Sequence, residues 1–294
     1  MTDVILVNVF TVDGAGGNPC PVAVDANDLQ AEQMQAVAAA YGHESAFIRR
    51  ADSPDFDLSL RFWVPAHEME MCGHATLGSL WLLAKKKVLS AGLVRMETLS
   101  GPVGGFVSFD ADEQPIVEIT QPVGKVIDLP EEHQKLVLKT LGLDRSDLLD
   151  LPIQNAVTSR IKTLIPLKDP ERLQGLVSDM QRTERCCVKI GSTGLYPFAI
   201  LSAEEQCFEA RQFPRSSGYP EDAATGIAAA ALGFGLLKNG LVRRDDSAIT
   251  VFQGRAMSRL SRIIVRLGFS DDKPIGCLLG GAVSPGSANS WETA

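Results

Sequence analysis

The chain has 294 residues, of which 28 are Lys or Arg and 36 are Asp or Glu, so its formal net charge is −8; 45% of residues are hydrophobic and 22% charged. That much apolar material offsets the entropy of folding, which excludes a disordered chain, and the length points to two domains, each with its own core. The acidic balance argues against nucleic acid and against an acidic membrane surface as partners, because clustered Lys and Arg hold both, and leaves a small molecule.

Taken in order, Met1-Thr2-Asp3-Val4-Ile5-Leu6 reads as a first strand, without the basic region and cleavage site of a secretory signal. No stretch reaches the roughly 18 apolar residues of a membrane-spanning helix. Six cysteines include no CxxC pair, so reduced thiols in a cytoplasmic protein are expected. The glycine-rich stretch 14–19 lies between two strands with no helix after it, which fits neither a P-loop nor a dinucleotide fingerprint. Asn18-Pro19 is expected to shape a turn that reaches a binding cleft.

Residues 31–41 read as a helix ending at Gly42, with a strand from Ser45. Residues 71–78 form a turn into the apolar helix 79–84. The strand 116–120 is followed by the break Gln121-Pro122-Val123-Gly124, which sets the domain boundary: residues 1–121 form one half, 122–283 the other and 284–294 a tail rich in Ser, Gly, Pro and Asn that is expected to fray. Proline starts predict helices over 130–141 and 170–181. Residues 221–226 then lead into a second apolar helix, 227–237.

The halves repeat one plan. Both apolar helices are hydrophobic on nearly all faces and must be wrapped by protein. Both exit through Lys, at Lys85-Lys86-Lys87 and at Lys238-Asn239-Gly240, and each is followed by a strand ending in glycine, Gly101 or Gly254. The order predicts a pseudo-symmetric pair of α+β domains, each curling strands around one buried helix.

A buried helix start carries unpaired backbone N–H groups and partial positive charge, which suits a carboxylate. Gly73-His74 and Thr225-Gly226 mark the two starts, and if the halves face each other both converge on one cleft. Glycines there serve equally for helix packing. His74 and Asp222 are the titratable residues nearest the turns, in what read as matching places. A lone His is more often structural and Asp222 alone is an ordinary N-cap, but the pairing raises both. Glu44, at the lead-in to a strand among apolar neighbours, is placed to take a proton and return it; most glutamates at turns are simply solvated. Cys72 beside His74 is a weak nucleophile candidate, since near neighbours in a turn seldom pair as base and thiol. His43-Glu44 and His67-Glu68 lack metal-ligand spacing, and no metal site is expected.

Five elements in order, Phe10 to Val24 with Gly17-Asn18-Pro19, Glu44-Ser45-Ala46-Phe47, Phe62 through the Cys72-Gly73-His74 turn to Gly78, Pro220-Glu221-Asp222-Ala223-Ala224-Thr225-Gly226, and Gln253-Gly254, resemble the PhzF-like family within the diaminopimelate epimerase fold superfamily. The resemblance implies two similar domains, each a barrel-like, mostly antiparallel sheet around a central helix, with the active site between them. It implies a cofactor-free isomerase, commonly a homodimer, acting on a small cyclic or amino carboxylate. Glu44 corresponds to the residue that moves a proton within trans-2,3-dihydro-3-hydroxyanthranilate in the phenazine enzyme. Positions matching His74 and Asp222 hold that substrate, with help from N–H groups at the helix starts; Asn18, Gly73, Thr225 and Gly226 complete the expected binding set.

This chain has Ile227 where the phenazine enzyme has serine, and Ser258-Arg259-Leu260-Ser261 where many members have Gly-Arg-Pro-Ser, so the family is firmer than the substrate. Two alternatives remain at this point. An amino-acid racemase of the same superfamily needs two opposed cysteines; Cys72 fits the first, but the second position reads as Ala223. A non-catalytic binding protein is favoured only by the lost serine.

Overall fold

In the computed structural model, which describes residues 3–286, the chain divides into two compact units, Met1–Thr120 with Gly280–Ala294, and Gln121–Leu279. In the first unit β1 (Val4–Val9) and β2 (Asn18–Ala23) form an antiparallel hairpin. The helix α1 (Ala31–Tyr41) carries the chain over to β3 (Ser45–Arg49), which lies parallel to β2. Strand β4 (Leu58–Trp63) returns antiparallel, and β5 (Glu68–Met69) is a two-residue partner at its end. After α2 (Gly73–Lys85), β6 (Gly92–Thr98) lies parallel to β4, and β7 (Gly101–Phe109) and β8 (Pro115–Gln121) complete an antiparallel meander.

The second unit repeats that ladder. Strand β9 (Lys125–Asp128) runs into α3 (Glu131–Leu141), then β10 (Gln154–Val157) and β11 (Ile161–Leu167) form the hairpin. Two helices, α4 (Pro170–Gln174) and α5 (Met180–Ile190), make the crossover to the parallel strand β12 (Gly194–Ser202). Strand β13 (Cys207–Ala210) returns antiparallel, and β14 (Phe213–Pro214) pairs with the start of β12. Across α6 (Gly226–Lys238), β15 (Ile249–Gln253) lies parallel to β13, with β16 (Ser261–Ser270) antiparallel beside it and β17 (Lys273–Gly280) following. The last strand, β18 (Val283–Pro285), pairs with β1 in the first unit. Each unit is thus hairpin, helical crossover, returning strand, buried helix and meander in the same order. Among the described residues the end strands of the first unit's ladder, β18 and β8, do not pair with each other, so the sheet is not closed.

The two central helices have 13 residues each and are buried almost throughout. Small residues at their contact faces set the spacing: a Cβ on Gly78 would meet the Val7 side chain at 2.9 Å, so β1 approaches α2 as closely as it does only over glycine. Leu77 and Leu80 are fully buried, each contributing about 1.5–3 kcal/mol of apolar burial. In the second unit α3 and α5 pack together over a separate cluster around Val137, Ile153, Ile165, Leu173, Cys187 and Phe213.

Three expectations need correction. The helix foreseen over 170–181 is two helices: α4 stops at Gly175, and Asp179 starts α5 by accepting the Arg182 N–H at 2.9 Å. Asn18-Pro19 opens β2 and is not a turn. Ser284 and Pro285, foreseen in a fraying tail, belong to β18, and residues 287–294 lie outside the described residues. Among the described residues no helix is long and apolar enough to cross a membrane.

Candidate active site

In the first unit two separated segments meet at the start of α2. Helix α1 ends at Gly42, whose left-handed φ of 67° turns the chain while its N–H caps Ala38 at 2.9 Å. Two residues later Glu44 leads into β3, where Ala46 is held by Val22 on one side and Phe62 on the other. The backbone carrying Glu44 is therefore fixed by a sheet. Opposite it, Cys72 is the extended N-cap of α2 and His74 the helix's second residue.

That geometry brings three polar atoms together. Cys72 Sγ lies 3.2 Å from Glu44 Oε2 and 3.3 Å from His74 Nδ1, and Nδ1 lies 3.5 Å from Oε2. Cys72 and His74 are buried, while the Glu44 side chain keeps 20% exposure. Burial pushes the Cys72 thiol well above its ordinary range, with the Glu44 charge and Cys20 adding to the effect against one backbone N–H, that of Ala75. Cys72 is thus a protonated thiol whose S–H donates to the Glu44 carboxylate. Near neighbours in this turn do pair, contrary to the expectation, because an extended N-cap followed by helix turns both side chains to one side. The thiol is nonetheless in its unreactive form. The first helical bond of α2 runs from the Thr76 N–H to the Cys72 carbonyl at 3.0 Å, so the N–H groups of Gly73 and His74 precede the helix's own ladder, at its positive end.

In the second unit α6 begins at Gly226 with Thr225 as N-cap. The Thr225 hydroxyl donates to the Asp222 carboxylate, and its N–H donates to Gln253 Oε1 at 3.2 Å. The Gln253 amide donates in turn to the Asp222 carbonyl at 2.7 Å, and the Tyr196 hydroxyl donates to Gln253 Oε1 at 3.0 Å. Both Gln253 and Tyr196 are fully buried; burial and the Asp222 charge hold the phenol protonated. Gly254 closes the network: at φ 83°, a Cβ there would meet the Ala223 carbonyl oxygen at 2.7 Å and also the Arg259 carbonyl. Beneath the turn, Glu221 forms a bidentate pair with Arg211 at 2.8 and 2.6 Å, and Arg211 also donates to the carbonyls of Leu173, Gln174 and Leu176.

Of the residues expected to matter, Glu44, Gly73 and His74 lie together in one unit, and Asp222, Thr225 and Gly226 in the other; Asn18 opens β2 opposite Val9. The N-caps of the two buried helices are Cys72 and Thr225, with His74 the second residue of α2 and Asp222 three residues before the α6 N-cap. Cys72, Gln253 and Tyr196 were not among the expected site residues. A glutamine ending the apolar strand Ile249-Thr250-Val251-Phe252 was a readable signal for one of them; Tyr196, inside an apolar run, offered none.

A family model described as phenazine biosynthesis-like protein, PhzC-PhzF, matches residues 7–284. The chain is 30% identical over 272 residues to a protein of Escherichia coli K12 named uncharacterized isomerase YddE, covering 91% of each. A Bacillus anthracis phenazine biosynthesis protein of the PhzF family superposes with a TM-score of 0.86 at 21% identity, covering 97% of this chain and 96% of that one. A predicted epimerase from Pseudomonas aeruginosa gives 0.81 at 24% identity, with 98% of both chains covered.

Proposed function

The chain belongs to the PhzC-PhzF family of phenazine biosynthesis-like proteins, and we propose that it is an isomerase in which Glu44 moves a proton within a small cyclic or amino carboxylate. The observation that carries this reading is the placement of the Glu44 carboxylate, anchored by β3, partly open to solvent and beside the positive start of a buried helix.

In the proposed reaction Glu44 takes a proton from a carbon next to an unsaturated or carboxyl-activated position. The electron pair of that C–H bond moves into the conjugated system. The N–H groups of Gly73 and His74 stabilise the negative charge that develops. The protonated Glu44 then gives its proton to another carbon, which restores the carboxylate. The Cys72 thiol and His74 hold the carboxylate in position, and Asn18, Asp222, Thr225 and Gly226 are the proposed substrate-holding groups. Racemisation is disfavoured because it takes a thiol on each face of a carbon, and the turn 221–226 that leads into α6 contains no cysteine.

The test is deuterium incorporation from D2O into small cyclic carboxylates, followed by NMR. The wild type is expected to exchange at least one of them, and Glu44→Gln to slow that exchange by about 10²–10⁴-fold. Exchange within about tenfold of wild type removes Glu44 as the base.

A further inference from the structure

The three polar atoms at the start of α2 form a triangle of nearly equal sides, 3.2, 3.3 and 3.5 Å, with one sulfur, one nitrogen and one oxygen at its corners. The geometry points to a binding site for one divalent cation of the zinc class, held by Cys72 Sγ, His74 Nδ1 and Glu44 Oε2. Among the described residues these three side chains each offer one ligand atom to a common centre.

Distance is the first argument. The centre of such a triangle lies about 1.9 Å from each corner, so a cation slightly off its plane reaches the roughly 2.0–2.3 Å that zinc takes to oxygen, nitrogen and sulfur. The edges of a tetrahedral site with those bond lengths are about 3.3–3.6 Å, so each side needs to change by about 0.4 Å or less. Two protons serve at most two sides of the triangle: the thiol donates to the carboxylate, and the imidazole nitrogen faces the sulfur in a contact whose direction follows its tautomer. A cation uses all three corners at once.

Chemistry is the second. A mixed sulfur, nitrogen and oxygen set selects zinc-like ions over Mg²⁺ and Ca²⁺, which take oxygen alone. Binding would release the thiol proton to solvent, and the resulting thiolate and the carboxylate balance the ion's two charges. A water would complete the four ligands that zinc takes. Spacing rules miss the site because Glu44 stands 28 residues before Cys72. If Glu44 carries the proton as proposed above, the cation occupies the atom that does so and blocks turnover.

The test is titration of the full chain with Zn²⁺ against a chromophoric chelator, and with Co²⁺ while the near-ultraviolet thiolate-to-metal band is recorded. One Zn²⁺ per chain is expected, with a Kd of micromolar or tighter, a thiolate band with Co²⁺, and no competition from millimolar Mg²⁺. Cys72→Ser is expected to weaken binding at least about 100-fold and abolish the band, and Glu44→Gln, at a partly exposed position, to weaken it at least about tenfold. Circular dichroism of both variants checks that they fold. Binding that is equally tight in Cys72→Ser belongs to another cysteine and overturns the assignment, as does the absence of a thiolate band in the wild type. The readout is the metal, not turnover, so its failure leaves the isomerase reading standing, and failure of that reading leaves the metal site standing.

Discussion

Replacing Glu221 with Gln keeps the shape of the Arg211 pair and removes its charge. Both side chains are buried, at 7% and 10% exposure, and the guanidinium makes five hydrogen bonds, two to Glu221 and three to backbone carbonyls. Breaking a buried pair by removing one partner costs about 3–5 kcal/mol, because a charge is left without its counterpart. The three carbonyls still hold Arg211, so the lower end applies, about 3 kcal/mol. For a unit of about 160 residues, Gln121–Leu279, each kcal/mol moves the midpoint by about 2–4 °C, so Tm should fall by about 6–12 °C. Scanning calorimetry reads this directly. The double variant Arg211→Met with Glu221→Leu should recover only part of the loss, since the three carbonyls then lose their donor. A fall of less than about 2 °C in Glu221→Gln refutes the reasoning, because it means the pair does not hold the turn that carries Asp222.

Gly254→Ala forces a left-handed φ of 83° on a residue whose Cβ meets two carbonyl oxygens, so a loss of about 1–3 kcal/mol or more is expected in urea unfolding. Tyr196→Phe removes a fully buried donor to Gln253 Oε1 and should cost about 1–2 kcal/mol by the same measurement, with the Thr225 turn loosened. The buried thiols Cys20, Cys72, Cys187 and Cys277 are all raised from the ordinary 9.0, chiefly by burial. The unfolded chain therefore releases these protons near pH 9 while the folded chain keeps them, and stability falls as pH rises above about 9, by up to about 1.4 kcal/mol per unit per thiol. Urea midpoints between pH 7 and 10.5 check the sign. At pH 8 iodoacetamide should modify the partly exposed Cys207 first and Cys72 only slowly, as read by peptide mass spectrometry.

Much of the fold is written in local chemistry. Helices α2 and α6 are apolar on nearly all faces, so each has to be wrapped by protein. Gly42 and Pro130 mark a stop and a start that the backbone requires. The two-helix crossover was not legible, because the proline-started pattern runs smoothly through Gly175 and the Asp179 cap acts only if the chain breaks there. Glu44 and His74 could each be picked out on their own turns, but their union with Cys72 depends on how β3 lies against the start of α2, a long-range contact that spacing does not encode. The N-caps Cys72 and Thr225 were not legible for a related reason, since sequence places a helix start only to within a few residues. Tyr196 and Gln253 stabilise the Asp222 turn from distant strands.

The central claim is that Glu44 carries the proton and does not merely hold the substrate. The most direct measurement compares ligand binding and deuterium exchange in the same Glu44→Gln protein, binding by calorimetry and exchange by NMR, on a carboxylate that the wild type turns over. The account predicts a Kd within about threefold of wild type and an exchange rate lower by about 10²–10⁴-fold. Exchange that survives within about tenfold, or a loss explained entirely by weaker binding, contradicts it.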